Sequence, residues 1–289
     1  MTRIVKLWMA ALFWSVRSAV AAVLRATGRP GPPTVVVLMY HAVKPAERAR
    51  FAQQMDVLCR MATPVRGDCS RAELTPGRHH VIVTFDDAYA SIVPNALAVL
   101  SMRGIPATVF APTRYLGGTP DWITNPSSPD RDEMVLSGEE LKGLRKTGVL
   151  IGSHSVNHRP LDVLSPAEIA AELIDSRRAL EDLLDEPITL FALPYGAGTP
   201  EVLELARHAG YRRVFLGDPV WLDWEPEMIA IGRIGVTPHD WPLEYRLKVT
   251  GAYQWLPLAI AAKRQVRRVL RRLPLARMFA VGNRAVVPR

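Results

Sequence analysis

A chain of 289 residues, 48% hydrophobic and 22% charged, holds enough apolar material for one large α/β domain with extensions, and its ordinary composition excludes a disordered, fibrous or repeat protein. Its net charge of +8 favours contact with an anionic surface, either membrane lipid or nucleic acid. Cys59 and Cys69 could form one disulfide, but they fit neither a Cys-x-x-Cys motif nor a zinc-ribbon spacing, and they read as two inert thiols.

Residues 1–33 stand apart from the rest of the chain. Leu7–Val16 is apolar and holds two tryptophans, but Arg17 and Arg25 interrupt it before it could cross a bilayer. On a helical wheel Arg3, Lys6 and Arg17 fall on one side. The segment reads first as an interfacial or anchor helix lying on a membrane, with tryptophan at headgroup level. A secretory signal, with Met1–Lys6 as its basic start, is the second reading, and a helix packed on the domain surface the third. Gly28–Pro33 reads as a linker into the main domain.

Thr34–Tyr40 is β-branched and apolar, a first strand that ends in His41, and Phe51–Met61 carries a helical apolar face. His79 and His80 read as surface loop residues ahead of the next strand, Val81–Phe85. That strand ends in Asp86-Asp87, and two adjacent carboxylates there are costly to keep ionised unless a cation or a hydrogen-bond network offsets their repulsion. A divalent metal is the simplest offset; the bland alternative is a pair of solvated acids opening the next helix. That helix runs from about Pro94 to Arg103, with Gly104 at its C-terminal boundary, and Ala107–Ala111 is the next strand. Pro112–Asp132 is a polar, proline-rich excursion longer than a simple connection.

Ser137 and Glu140 form a capping box for a helix to Lys146, and Val149–Ser153 is again a strand. Beyond it come His154 and His158, four apart, which share one face if the segment turns helically. Ser155 stands where a zincin requires Glu, so that motif fails. One Asp and two His together suit a catalytic metal with an open position for water. Ser165, Pro166 and Glu168 open a long helix to about Leu184, and Ile188–Ala192 is a strand leading into Pro194-Tyr195-Gly196. Thr199-Pro200 caps a helix ended by Gly210, and Arg213–Leu216 and Ile229–Ile234 are further strands. Repeated strand-then-helix units with polar motifs at strand C-termini describe an α/β barrel whose site lies at that face. In the tail, Lys263, Arg264, Arg267, Arg268, Arg271 and Arg272 take one half of a helical wheel across Ala259–Leu273. No nucleic-acid fold signature accompanies this basic amphipathic stretch, so anionic lipid is the expected partner and nucleic acid is not.

Three motifs resemble the polysaccharide deacetylases of carbohydrate esterase family four. Thr84-Phe85-Asp86-Asp87-Ala88 is similar to that family's Thr-Phe-Asp-Asp-Gly, Ser153-His154-Ser155-Val156-Asn157-His158 to its histidine motif, and Phe191–Gly196 to its Pro-Tyr-Gly loop. Tyr40-His41 resembles the start of the catalytic domain in the exopolysaccharide N-deacetylase branch, and the likeness runs from about Thr34 to Ala252. It implies an irregular (β/α) barrel over 34–252, between a hydrophobic or amphipathic segment and linker at 1–33 and a basic amphipathic tail at 253–289. It further implies Asp87, His154 and His158 as ligands of a divalent metal, zinc first, with cobalt, nickel or manganese also suited. Asp86 would then be the general base, and Pro194-Tyr195 would supply an N–H to the oxyanion.

The chain departs from the pattern in three places. Ala88 replaces the usual glycine, no Arg precedes the Pro-Tyr-Gly loop to hold the base, and the family's late Leu-x-x-His is not clear, leaving His239 as the candidate acid, with Asp223-Trp224 as its tuning motif. His41 either lines the pocket or satisfies its strand end. The resemblance implies hydrolysis of the acetamide of N-acetylated sugars in an envelope or exported polysaccharide, near a membrane whose side the sequence leaves open. Trp122 is a candidate to stack on a sugar ring. Two alternatives stand beside it: a deformylase or deacylase of a lipid-linked amino sugar, and a catalytically silent glycan-binding module.

Overall fold

The computed structural model describes residues 2–26, 28, 31–196, 198–219, 229–256 and 259. The tail reading and the Asp223-Trp224 motif therefore lie outside the described residues. The strands are β1 Thr34–Tyr40, β2 Thr63–Pro64, β3 His79–Phe85, β4 Ala107–Ala111, β5 Leu150–Ser153, β6 Leu190–Ala192, β7 Arg213–Phe215, β8 Ile229–Ile231 and β9 Arg233–Gly235. All their ladders are parallel, in the order β8-β7-β6-β5-β4-β3-β1-β9, with β2 alongside the start of β3. Helices α1 Arg3–Ala26, α2 Arg48–Met61, α3 Ala98–Ser101, α4 Gly138–Lys146, α5 Pro166–Leu184, α6 Pro200–His208 and α7 Pro242–Val249 accompany them. The result is a nearly closed (β/α) barrel.

Local chemistry accounts for the helix starts. Ser137 with Glu140 and Ser165 with Glu168 form reciprocal capping boxes, and Thr199 caps α6 through the Val202 N–H. In the strands the side chains alternate. Val81, Val83 and Phe85 of β3 pack outward in the main core with Tyr40 and Phe51, while Ile82 belongs to a second cluster inside the barrel. Phe110 and Phe215 meet in that interior at 5.0 Å, and Cys69 and Leu74 join it from the segment before β3. Arg213, at the start of β7, donates to the carbonyls of Gly67 and Cys69 and ties that segment to the N-terminal end of the barrel. Both cysteines are free.

Two sequence expectations change. Ile229–Ile234, read as one strand, is two: the chain breaks at Gly232, so that β8 extends β7 while β9 pairs with β1 at the opposite edge. His79 and His80 are not surface loop residues but the first two residues of β3. His80 is buried, and half-buried His79 bridges Thr34 Oγ1 at 2.8 Å and the Val249 carbonyl at 2.6 Å.

Candidate metal centre and active site

The polar residues gather at the C-terminal ends of the strands, around a cavity of about 660 Å³. Asp86 continues the inward face of β3 after Ile82 and Thr84, so strand alternation alone turns its carboxylate into the barrel. Asp87 would then point outward, but its φ of 66° and the 50° of Ala88 place both in the left-handed region, and the second carboxylate also reaches the cavity. Among the described residues six non-glycines have positive φ. Five of them (Asp87, Ala88, Ser155, His158 and Tyr195) lie in the three motif loops, so backbone strain is concentrated at this site.

His154 and His158 do come together, but not as one helix face. The segment after β5 is a loop with φ of 67° at Ser155 and 51° at His158, and this double turn brings the rings to 4.8 Å between centroids. The loop is held from beneath by Glu172 of α5, which accepts from the N–H groups of Val156 at 2.9 Å and Asn157 at 2.8 Å, and from Asn157 Nδ2 at 2.7 Å. His154 Nδ1 donates to the Ala192 carbonyl at 2.8 Å, which leaves the Nε2 lone pair facing the carboxylates. Burial, foremost, pushes its pKa down to about 4, so the ring is neutral at pH 7.

Asp87 Oδ1 lies 3.1 Å from His158 Nε2 and 3.6 Å from His154 Nε2, yet it is buried without an aligned hydrogen-bond partner. Three ligand-type atoms, one anionic and at least one on a neutral imidazole, therefore converge within 4.8 Å of one another, with the carboxylate oxygen orphaned. This donor set fits a divalent metal. Burial raises the Asp87 carboxyl, but the imidazoles of His158, His41 and His154 outweigh it and hold the pKa below the ordinary value.

Asp86 has a different partner. Arg233, fully buried, grips it with both nitrogens of its fork, Nη1 to Oδ1 at 2.5 Å and Nη2 to Oδ2 at 2.8 Å. Burial raises the Asp86 carboxyl, but Arg233 and then His154 more than offset it, and the net shift is downward. The arginine missing ahead of the Pro-Tyr-Gly loop is thus replaced from the first position of β9. Gly232 marks a break in the strand, but nothing local in the sequence links Arg233 to Asp86, 147 residues away.

The other expected residues divide. Pro194–Gly196 forms a tight turn after β6, with Tyr195 left-handed at φ 56° and its ring 4.9 Å from that of His158. His41 lines the same cavity. His239 does not: it is 62% exposed, bonds Glu47 Oε1 at 2.7 Å and Arg50 Nη1 at 3.0 Å, and faces a separate groove with Trp241. Trp122 reaches the cavity on the Pro112–Asp132 excursion, but its ring packs against His158 and Tyr115, each at 4.6 Å. It is a wall beside a metal-type ligand as much as a free platform for a sugar.

Known proteins resemble this chain in the same region. Residues 73–214 match the family model described as polysaccharide deacetylase. YxkH of Bacillus subtilis (strain 168), provisionally named a polysaccharide deacetylase, is 25% identical over 217 residues, covering 72% of this chain and 73% of its own length. A chitooligosaccharide deacetylase of Bradyrhizobium sp. (strain ANU 289) is 28% identical over 140 residues, 48% of this chain and 56% of that protein. Among solved structures, IcaB from Ammonifex degensii superposes with a TM-score of 0.61 at 26% identity, over 76% of this chain and 97% of that one.

Proposed function

The chain belongs to the polysaccharide deacetylase family, hydrolases of amide bonds, and we propose that it removes acetyl groups from N-acetylated amino sugars of an envelope or exported polysaccharide. The observation that carries this reading is the pairing of an orphaned Asp87–His154–His158 donor set with a separate, arginine-clamped carboxylate on Asp86. One acid can ligate while the other remains a base. The name of the 28% identical relative supports N-acetylglucosamine units as the substrate class.

Asp87, His154 and His158 would hold a divalent ion, zinc by preference from its nitrogen and carboxylate donors, with cobalt, nickel or manganese suited to the same set. Bound there, the ion supplies Lewis acidity toward the acetamide carbonyl and makes an attacking water more acidic. Asp86, kept ionised and oriented by Arg233, takes the proton from that water. The Tyr195 N–H donates to the oxyanion that develops on the carbonyl oxygen. His41, rather than His239, protonates the departing amine, because it lines the cavity whereas His239 is engaged by Glu47 outside it. Water adds across the C–N bond, giving acetate and a free amine. The substrate is a polymer or lipid-linked glycan close to a membrane.

Acetate release from partially acetylated glucosamine oligomers tests this, comparing metal-loaded wild type with Asp86→Asn. The variant keeps all three ligands, so it should bind metal as wild type does and lose activity by at least about a hundredfold, the low end for a general base. Full turnover by the variant would remove Asp86 from the role. Metal binding by wild type without acetate release would redirect the substrate to formylated or lipid-carried sugars.

A further inference from the structure

Helix α1 exposes a continuous apolar stripe, and Arg3 and Arg17 lie off it. At about 100° per residue, Val5, Trp8, Leu12, Val16, Val20 and Val23 fall within one third of the wheel, and each is between 44% and 73% exposed. The opposite side faces the barrel. Ala10 is fully buried there, with Leu7 and Ala11 packed around it. Arg3 bonds Glu244 of α7 at 2.5 Å and lies 4.2 Å over the Trp241 ring. Arg17 donates to the Thr250 carbonyl and to Gln254 Oε1 at 3.1 Å. Arg17, which looks like an interruption of a membrane segment, is turned inward together with Arg3, and the domain satisfies both.

The charge distribution says what the stripe meets. Residues 1–33 contain five basic residues and no acid, and residues 253–289 contain nine and none, while residues 34–252 contain 28 acids against 22 basic residues. Both extensions are purely cationic, and the domain between them is net anionic. The chain as a whole carries a net charge of +8, so a second copy would be repelled, whereas anionic lipid is complementary.

We propose that the α1 stripe docks on the interfacial zone of an anionic bilayer, with the helix lying in the membrane plane and strapped to the barrel by Arg3 and Arg17. This rests on the membrane association proposed above and adds the surface and the orientation. The straps are 14 residues apart, about 21 Å of helix at 1.5 Å per residue, so α1 runs along the barrel over most of its length. Contrary to the sequence expectation, Arg3–Leu24 is long and apolar enough to cross a membrane, but a spanning pose would break both straps and carry Arg17 into hydrocarbon.

The test is flotation of the full chain with phosphatidylcholine vesicles containing or lacking phosphatidylglycerol, for wild type and a Trp8→Glu/Leu12→Glu variant. Wild type should partition to the anionic vesicles, less so at high salt. The variant should bind about tenfold or more weakly, with unchanged acetate release on a soluble oligomer. Equal binding by the variant would assign attachment to residues 253–289 and overturn the stripe while leaving membrane association intact. No binding by either protein would overturn both, without touching the catalytic reading. Depth is read from bromolipid quenching that Trp8→Phe removes. Strongest quenching by bromines near the headgroups supports the in-plane pose, and strongest quenching by bromines at chain ends overturns it. Vesicle-independent dimerisation abolished by the variant would assign the face to a second copy and also overturn the proposal.

Discussion

Arg233 illustrates how one side chain can decide the state of another. An unpaired carboxylate inside the barrel would favour its proton, and the bidentate guanidinium reverses that preference for Asp86. Arg233→Met should therefore lose about 3–5 kcal/mol of stability, the usual result of stripping one partner from a buried pair, and thermal unfolding will measure it. Arg233→Lys keeps the charge but not the fork. It should fold closer to wild type yet turn over at least about tenfold more slowly with metal content unchanged, because Asp86 loses its fixed orientation. Ala88 is a quieter case. Its left-handed backbone costs about 1–2 kcal/mol. Its methyl is fully buried, worth about 0.8 kcal/mol, and alanine avoids the extra chain entropy of glycine. Ala88→Gly should accordingly change stability by less than about 1 kcal/mol in a denaturant titration, which explains how alanine persists at a glycine-type position.

At the scale of elements, the site is three loops on a rigid frame, and the best-supported is the histidine loop after β5. Glu172 of α5 accepts three hydrogen bonds from Val156 and Asn157, so the helix fixes the distance between the imidazoles. Glu172→Ala should lower metal affinity about 10–100-fold, the range for supporting residues of metal ligands, read by competition with a chromogenic chelator. If affinity is unchanged, the double turn at Ser155 and His158 holds itself. Much of this layer is legible in the sequence. The capping boxes at Ser137 and Ser165 and the polar residues after apolar strands mark where elements start and where the chemistry gathers. The i,i+4 spacing of His154 and His158 misleads, because positive φ angles, invisible to spacing, produce the same proximity without a helix. His41 obeys the strand-end rule that finds Asp86. Arg233 does not, since it comes from 147 residues away and no local pattern connects it to its partner.

On the scale of the whole molecule, His79 joins distant parts of the chain: β3, through its own backbone, β1 through Thr34, and the end of α7 through the Val249 carbonyl. Burial first, and Arg17 further, lower its pKa below the ordinary value of about 6.5, while the Val249 hydrogen bond works against them. The unfolded chain therefore takes up this proton before the folded one does. Stability should be constant above about pH 6.5 and fall as pH drops below it, until the folded pKa is passed. Thermal unfolding from pH 7.5 to 5, compared with His79→Gln, will show the slope and its reduction in the variant.

The seam at Gly232 sets the order in which the molecule can become active. Among the described residues β9 is the last strand in sequence, yet it lies beside β1, the first, and carries the only cation that clamps Asp86. During synthesis Asp86, Asp87, His154 and His158 all emerge long before Arg233 does. Until then β1 has an open edge, and Asp86 has no counter-charge to keep it ionised in a closing barrel. A nascent chain could gather metal at Asp87, His154 and His158, but the hydrolysis proposed above would wait until β9 pairs with β1 and brings Arg233 to Asp86.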